Sequence, residues 1–163
     1  LAYATSSRGG CHMRGYLIMP EILGHPVFLD RFATAGKPEI VALFQDIAAV
    51  VDSAVLCRFL QFAMGISTFS EMLRTVTGLD FSDEELMTIG RRIYTLERLF
   101  NNRAGFTRAD DTLPPRFFNE EFQTGSSRHR RVRLDEMLDE YYSVRGWDAQ
   151  GAPLPATLAR LGL

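Results

Sequence analysis

The chain has two cysteines, one lysine and no long apolar run, and each shortage excludes something. Cys11 and Cys57 are too few for a disulfide scaffold and cannot alone make a four-ligand metal site. Such sparing use of thiols suits a reducing cytoplasm. Lys37 is the single lysine among 18 basic residues, the arginine bias expected of a GC-rich genome. No apolar run reaches the ~18–20 residues of a membrane span. A formal charge of -2 gives no general attraction to nucleic acid or to an anionic membrane. No segment alternates like a half-buried strand, and no repeat is present. The start, Leu1-Ala2-Tyr3-Ala4, has neither an initiator Met nor an apolar leader, and reads as the interior of a longer chain.

What remains is the composition of one globular domain: 163 residues, 46% hydrophobic and 23% charged. A chain of this size buries roughly two-thirds of its unfolded surface. Gly9-Gly10-Cys11-His12-Met13-Arg14-Gly15 is a glycine-bracketed loop. Leu17 to Pro38, with three prolines and two glycines, is predicted to be loop with one helical turn. Pro38-Glu39 then opens a helix, with Val41, Phe44, Ile47, Ala48 and Val51 at helical period. A second helix carrying Cys57, Leu60 and Phe62 is expected to follow and to break near Gly65. Ser67 to Val76 reads as a short helix closed by Thr77-Gly78.

Ser82-Asp83-Glu84-Glu85 is a capping box for a helix reaching Phe100, with Leu86, Ile89, Ile93, Leu96 and Phe100 on one face. Phe106 to Phe118 is expected to lie extended across a surface. Leu134 to Arg145 is predicted to be helical, with Arg145 at the negative end and Gly146 as the left-handed cap. A last helix spans about Pro155 to Leu161. The fold class is all-α, a single helical domain over residues 1–163 with long loops.

Within the apolar stretch from Ile47 to Ala63, an acid and a thiol stand five residues apart in Asp52-Ser53-Ala54-Val55-Leu56-Cys57. Taken alone, each has an ordinary reading. Cys57 packs in a core, and Asp52 caps a helix end. His12 is a loop histidine and Arg14 a solvated side chain. A thiol is also the side chain that best ligates soft metals and iron–sulfur clusters. The pair is therefore either a core helix with an awkward acid or an element that aims both groups at a cofactor. The run Arg128 to Arg133 reads as a solvated face, lacking the interleaved aromatics of a nucleic-acid platform. Phe44, Phe59, Phe62 and Phe69 are the candidate partner surface if the chain is a helical interaction module without a cofactor.

Taken in order, several segments resemble the C-terminal part of tungsten-dependent aldehyde:ferredoxin oxidoreductases. They are Ala4 to Gly15, Asp52 to Cys57, Arg92 to Arg103, Phe106 to Arg116, Asp135 to Tyr142 and Arg145 to Asp148. The resemblance covers essentially the whole chain, in register. It implies the last helical domain of a three-domain enzyme. There a bis-pterin tungsten, sometimes molybdenum, cofactor lies beside a 4Fe-4S cluster, above a β-rich N-terminal base. Asp52 then falls on the acid that binds the pterin amino groups, and Cys57 on the fourth cluster ligand. Leu56 and Arg58 flank that ligand, in reach of the pterin. His12 falls on the proton-handling histidine near the metal, and Arg14 on a basic residue reaching the pterin phosphates. The family's glycine in this element is Val55 here, and Cys11 matches no ligand position.

The resemblance implies oxidation of an aldehyde to its carboxylic acid, with electrons leaving through the cluster to ferredoxin. A reductase of another carbonyl compound or of an aromatic acyl thioester is the alternative within the family. The implied partners are the N-terminal domains of the same enzyme, ferredoxin and the aldehyde, not nucleic acid or membrane. Three cluster ligands and an acid opposite His12 are implied upstream. The chain by itself is accordingly expected to hold no cofactor and to be inactive. Its cofactor-facing surface, Gly9 to Arg14 and Asp52 to Cys57, is expected to be exposed or loosely ordered.

Overall fold

Proline in the first turn, an acid beside it and a run of small and branched apolar residues build the longest buried element. In the computed structural model, which describes residues 1–163, this helix α1 spans Lys37–Ser53. It is followed by α2 (Ile66–Thr77), α3 (Asp83–Arg103), α4 (Arg116–Asn119), α5 (Asp135–Arg145) and α6 (Pro155–Leu161). Ser82 accepts from the Glu85 amide at 3.1 Å while Glu85 accepts from the Ser82 amide at 2.8 Å, so the capping box forms as expected. Two isolated backbone bridges, Phe122 with Arg128 and Trp147 with Pro153, are the only extended pairing. No helix is long and apolar enough to cross a membrane.

Helix α1 threads two apolar clusters. Its first half supplies Val41 and Ala42 to a core with Tyr94, Leu134, Leu138, Tyr141, Tyr142 and Trp147. Its second half supplies Val50 and Val51 to a smaller core with Phe69 and Leu86. Between them α1 and α3 touch at Gly90, where a Cβ would stand 2.2 Å from the Asp46 carbonyl oxygen. Only glycine permits that approach. At the same level Arg145 from α5, 1% exposed, pairs with Asp46, which is fully buried. Arg145 also donates to Gln45 Oε1 at 2.7 Å, as does the Tyr141 hydroxyl. A buried charge of this kind is tolerable only when paired and fully hydrogen-bonded.

Four expectations need correction. The stretch after α1 is not a second helix: Cys57 is extended (φ -67°, ψ 130°), and only a 3-10 turn, Arg58–Phe62, follows. The buried stripe of α3 is Leu86, Gly90, Tyr94, Thr95 and Arg98. Leu96 and Phe100 face outward, at 54% and 73% exposure. Tyr94 and Arg98 displace them because both find partners inside, Tyr94 the Thr5 carbonyl at 2.6 Å and Arg98 the Asp111 carboxylate at 2.8 Å. The segment from Phe106 to Phe118 is not simply extended but holds a 3-10 turn capped by Thr107 and the start of α4. The four phenylalanines share no face, since Phe69 is buried in the smaller core while Phe59 is largely exposed. The basic run is solvated as expected, with Arg131 at 3.4 Å from Glu121 and Arg133 at 3.2 Å from Glu136.

Candidate functional site

The Asp52–Cys57 element is the terminus of α1. Val55 lies in the left-handed region at φ 56°. The Val55 amide donates to the Asp52 carbonyl and the Leu56 amide to the Val51 carbonyl, both at 3.1 Å. This paired pattern is the Schellman closure, in which the left-handed position is ordinarily glycine. Leu56 completes it by packing against the smaller core that contains Val51. A glycine at this position, as the resemblance implies, would have a local reason: it ends the helix. Here a β-branched residue does so, with its side chain 91% exposed. The closure leaves Asp52 in the last turn, reverses the chain, and brings Cys57 out exposed.

The glycine loop lies against this terminus because three elements hold it. The Ser7 hydroxyl donates to Glu97 at 2.6 Å, and Asn101 donates to the Ser7 carbonyl at 2.7 Å. Arg14 donates both terminal nitrogens to Glu97, at 2.9 to 3.1 Å. Arg58 donates Nη2 to the Met13 carbonyl, joining the loop to the 3-10 turn. At Gly15 a Cβ would meet Gln45 Cγ at 3.0 Å, so the loop leaves the site pressed onto α1. His12 is exposed at the crest, its ring 6.3 Å from Tyr3 and 6.4 Å from Tyr16. Tyr16 continues to Phe62 at 5.8 Å, and Phe62 to Phe59 at 6.0 Å.

Asp52 sits between two guanidiniums, with Arg14 Nε at 3.5 Å and Arg58 Nη1 at 3.7 Å. Both are ion-pair distances, and neither contact is a hydrogen bond. Arg14 Nε, Arg58 Nε and Arg58 Nη1 are buried donors without a hydrogen-bond partner, on side chains only 7% and 9% exposed. The Asp52 carboxylate, one-third exposed, is compensated in charge yet keeps its acceptor lone pairs. Burial pushes the Arg58 guanidinium below its ordinary value. Asp52 and Tyr16 oppose that, and the nearby Arg14 and Arg8 add to it. Buried donors of this kind are costly unless a further group accepts from them.

Cys11 accepts from Arg8 Nε at 3.4 Å and Nη2 at 3.3 Å. Burial raises its thiol, but the Arg8 contact and the amides of Met13 and Arg14 outweigh this and bring it below the usual range. No group of three or more His, Cys, Asp or Glu side chains assembles anywhere in the chain.

The structure brings His12, Arg14, Asp52, Leu56, Cys57 and Arg58 onto one side of the fold, where the loop meets the end of α1. The expected exposure holds for Gly9, Gly10, His12, Ser53, Val55 and Cys57, whereas Cys11, Met13, Asp52, Ala54 and Leu56 are half-buried and Arg14 is buried. Sequence reasoning missed Glu97, which ties Arg14 down. Its signal was the stripe Tyr94, Glu97, Arg98 and Asn101, polar groups at helical period whose partners all lie in other segments.

Comparison with known proteins bears on this arrangement. A family described as aldehyde ferredoxin oxidoreductase, domains 2 and 3, matches residues 1–163. The tungsten-containing aldehyde ferredoxin oxidoreductase of Pyrococcus furiosus is 44% identical over 165 residues, covering 100% of this chain. That of Thermococcus kodakarensis is 46% identical over 153 residues, 93% of this chain. The chain spans 27% of the length of the first and 25% of the second. Among solved structures, the BamBC active site complex of benzoyl coenzyme A reductase, in complex with 1,5-dienoyl-CoA, has a TM-score of 0.64 at 23% identity. It matches 88% of this chain with 21% of its own, a likeness of fold. The chain belongs to the aldehyde ferredoxin oxidoreductase family.

Proposed function

We propose that this chain is the C-terminal part of an enzyme that oxidises aldehydes to carboxylic acids at a bis-pterin tungsten or molybdenum centre. In this reading electrons pass through a 4Fe-4S cluster to ferredoxin, and the chain supplies one wall of the site. The observation that carries it is the Asp52 carboxylate, charge-compensated but free to accept, ringed by orphaned guanidinium donors. That donor set fits a pterin. Asp52 would accept from a pterin's amine and ring N–H, and Arg14 and Arg58 would donate to its oxygens. Cys57, exposed at the turn beyond Asp52, offers a thiolate to iron, and Leu56 packs its neighbour in place.

When bound, the centre supplies the two-electron redox chemistry of the aldehyde carbon. The residues of this chain position and move protons. His12, held between the rings of Tyr3 and Tyr16, presents an imidazole with two ring nitrogens for hydrogen bonding and proton transfer. Asp52 would orient one pterin, and Arg58 keeps the 52–58 turn and the His12 loop in one register through the Met13 carbonyl. The remaining cluster ligands, the base beneath the pterins and the acid opposite His12 belong to the other domains. The chain alone is therefore inactive.

Metal analysis of the full-length protein, made anaerobically with tungsten supplied, tests this reading. About four iron per chain is expected, the content of one such cluster, together with tungsten. Cys57→Ser loses iron and Asp52→Ala loses tungsten. Wild-type protein with neither metal rules the reading out.

A further inference from the structure

We infer that Glu97 is a positioning residue that holds Arg14 off Asp52 and so keeps the pterin anchor free to accept. The inference rests on the function proposed above. Arg14 lies between two carboxylates, and its guanidinium is divided unevenly. Glu97 takes Nη1 and Nη2 through bonds of 2.9 to 3.1 Å, leaving Asp52 only Nε at 3.5 Å. Arg58 is divided in the same way, its Nη2 committed to the Met13 carbonyl and Nη1 standing 3.7 Å from Asp52. A free guanidinium beside a carboxylate closes a bidentate pair, the strongest geometry open to the two. Glu97 prevents that closure.

Two further contacts fix Glu97 in this role. The Ser7 hydroxyl donates to Oε2 at 2.6 Å, so the carboxylate is oriented from the loop side. Glu97 stands on α3 one turn beyond Tyr94, which is fully buried and anchored to the Thr5 carbonyl. The α3 backbone at this level is set by the core. Three cations, Arg8, Arg14 and Arg58, surround this corner against the two carboxylates of Asp52 and Glu97. Removing the Glu97 charge leaves Asp52 the only anion for all three.

The test uses the full-length protein and the variants Glu97→Gln, Arg14→Gln and the double variant, with Glu97→Asp as the conservative control. In a crystal structure of Glu97→Gln, Arg14 turns both terminal nitrogens onto Asp52, a readout independent of metal loading. Tungsten per chain falls about tenfold while iron is kept, and the midpoint potential of the retained tungsten rises because the corner has lost a negative charge. Glu97→Asp restores most of the tungsten. In the Arg14→Gln background, Glu97→Gln has no additional effect, since its action runs through Arg14. Arg14 unmoved in the crystal, or losses that simply add in the double variant, overturn the inference. So does a Glu97→Gln protein with the wild-type tungsten content and potential. A wild-type protein without tungsten instead refutes the proposed function, while the crystallographic arm still decides on Glu97.

Discussion

Val55 carries a conformation that its side chain resists. The left-handed region costs an L-residue roughly 1–2 kcal/mol, more easily borne by glycine or asparagine. Glycine returns part of that gain through the flexibility it adds to the unfolded chain, ~0.4–1 kcal/mol. Val55→Gly is therefore expected to stabilise the full-length protein by about 0.5–1 kcal/mol in denaturant unfolding, and a loss of stability would contradict the left-handed assignment. Cys11 is the other residue set apart by its surroundings. With Arg8 donating to its sulfur, the thiolate forms at lower pH than in an ordinary cysteine, so its alkylation rate rises earlier along the pH axis. Arg8→Ala should move that rise to higher pH, read by mass spectrometry of Cys11 after timed iodoacetamide labelling. An unchanged profile would mean that the loop amides alone hold the thiolate.

Among the elements, the helices were legible where periodicity and caps agreed, and illegible where long-range polar contacts decided. The capping box at Ser82, the Pro155 start and the Gly146 stop each declare themselves locally, and the structure has all three. The face of α3 was misread because Leu96 and Phe100 look like core by composition. The stripe that goes inside contains Arg98 and Tyr94, whose partners lie more than ten residues away in the chain. Arg145 stands at the helix end as expected, but its burial was not legible, because Asp46, 99 residues distant, makes it a core residue. The turn after Asp52 was hidden because no glycine marks it. Of the candidate site, the residue types were readable from the ordered motifs, but the ion-pair ring around Asp52 exists only through tertiary contact. At the α1–α3 crossing, Gly90→Ala should destabilise by about 1–3 kcal/mol, as overpacking does. Because the added methyl meets backbone, not a movable side chain, a neutral result in thermal unfolding would refute the close approach.

At the scale of the whole molecule, two apolar cores are strung on one helix, and the candidate site is built at that helix's far end. The ion pairs at Asp52 are made by Arg14 and Arg58 of this same chain, so the last turn of α1 ends on contacts internal to the fold. Full-length protein made without tungsten should accordingly keep hydrogen-exchange protection across Val41 to Val51. Loss of protection there would mean that the cofactor is needed to complete α1. The consequence concerns the order of assembly. Under the proposed function, a fold whose last helical turn is neutralised by its own guanidiniums could be finished first and loaded afterwards, with a pterin exchanging partners at Asp52 instead of nucleating a helix. Defects at Asp52 would then surface as well-made but empty enzyme, and maturation would be limited by delivery of the cofactor, not by folding of this part of the chain.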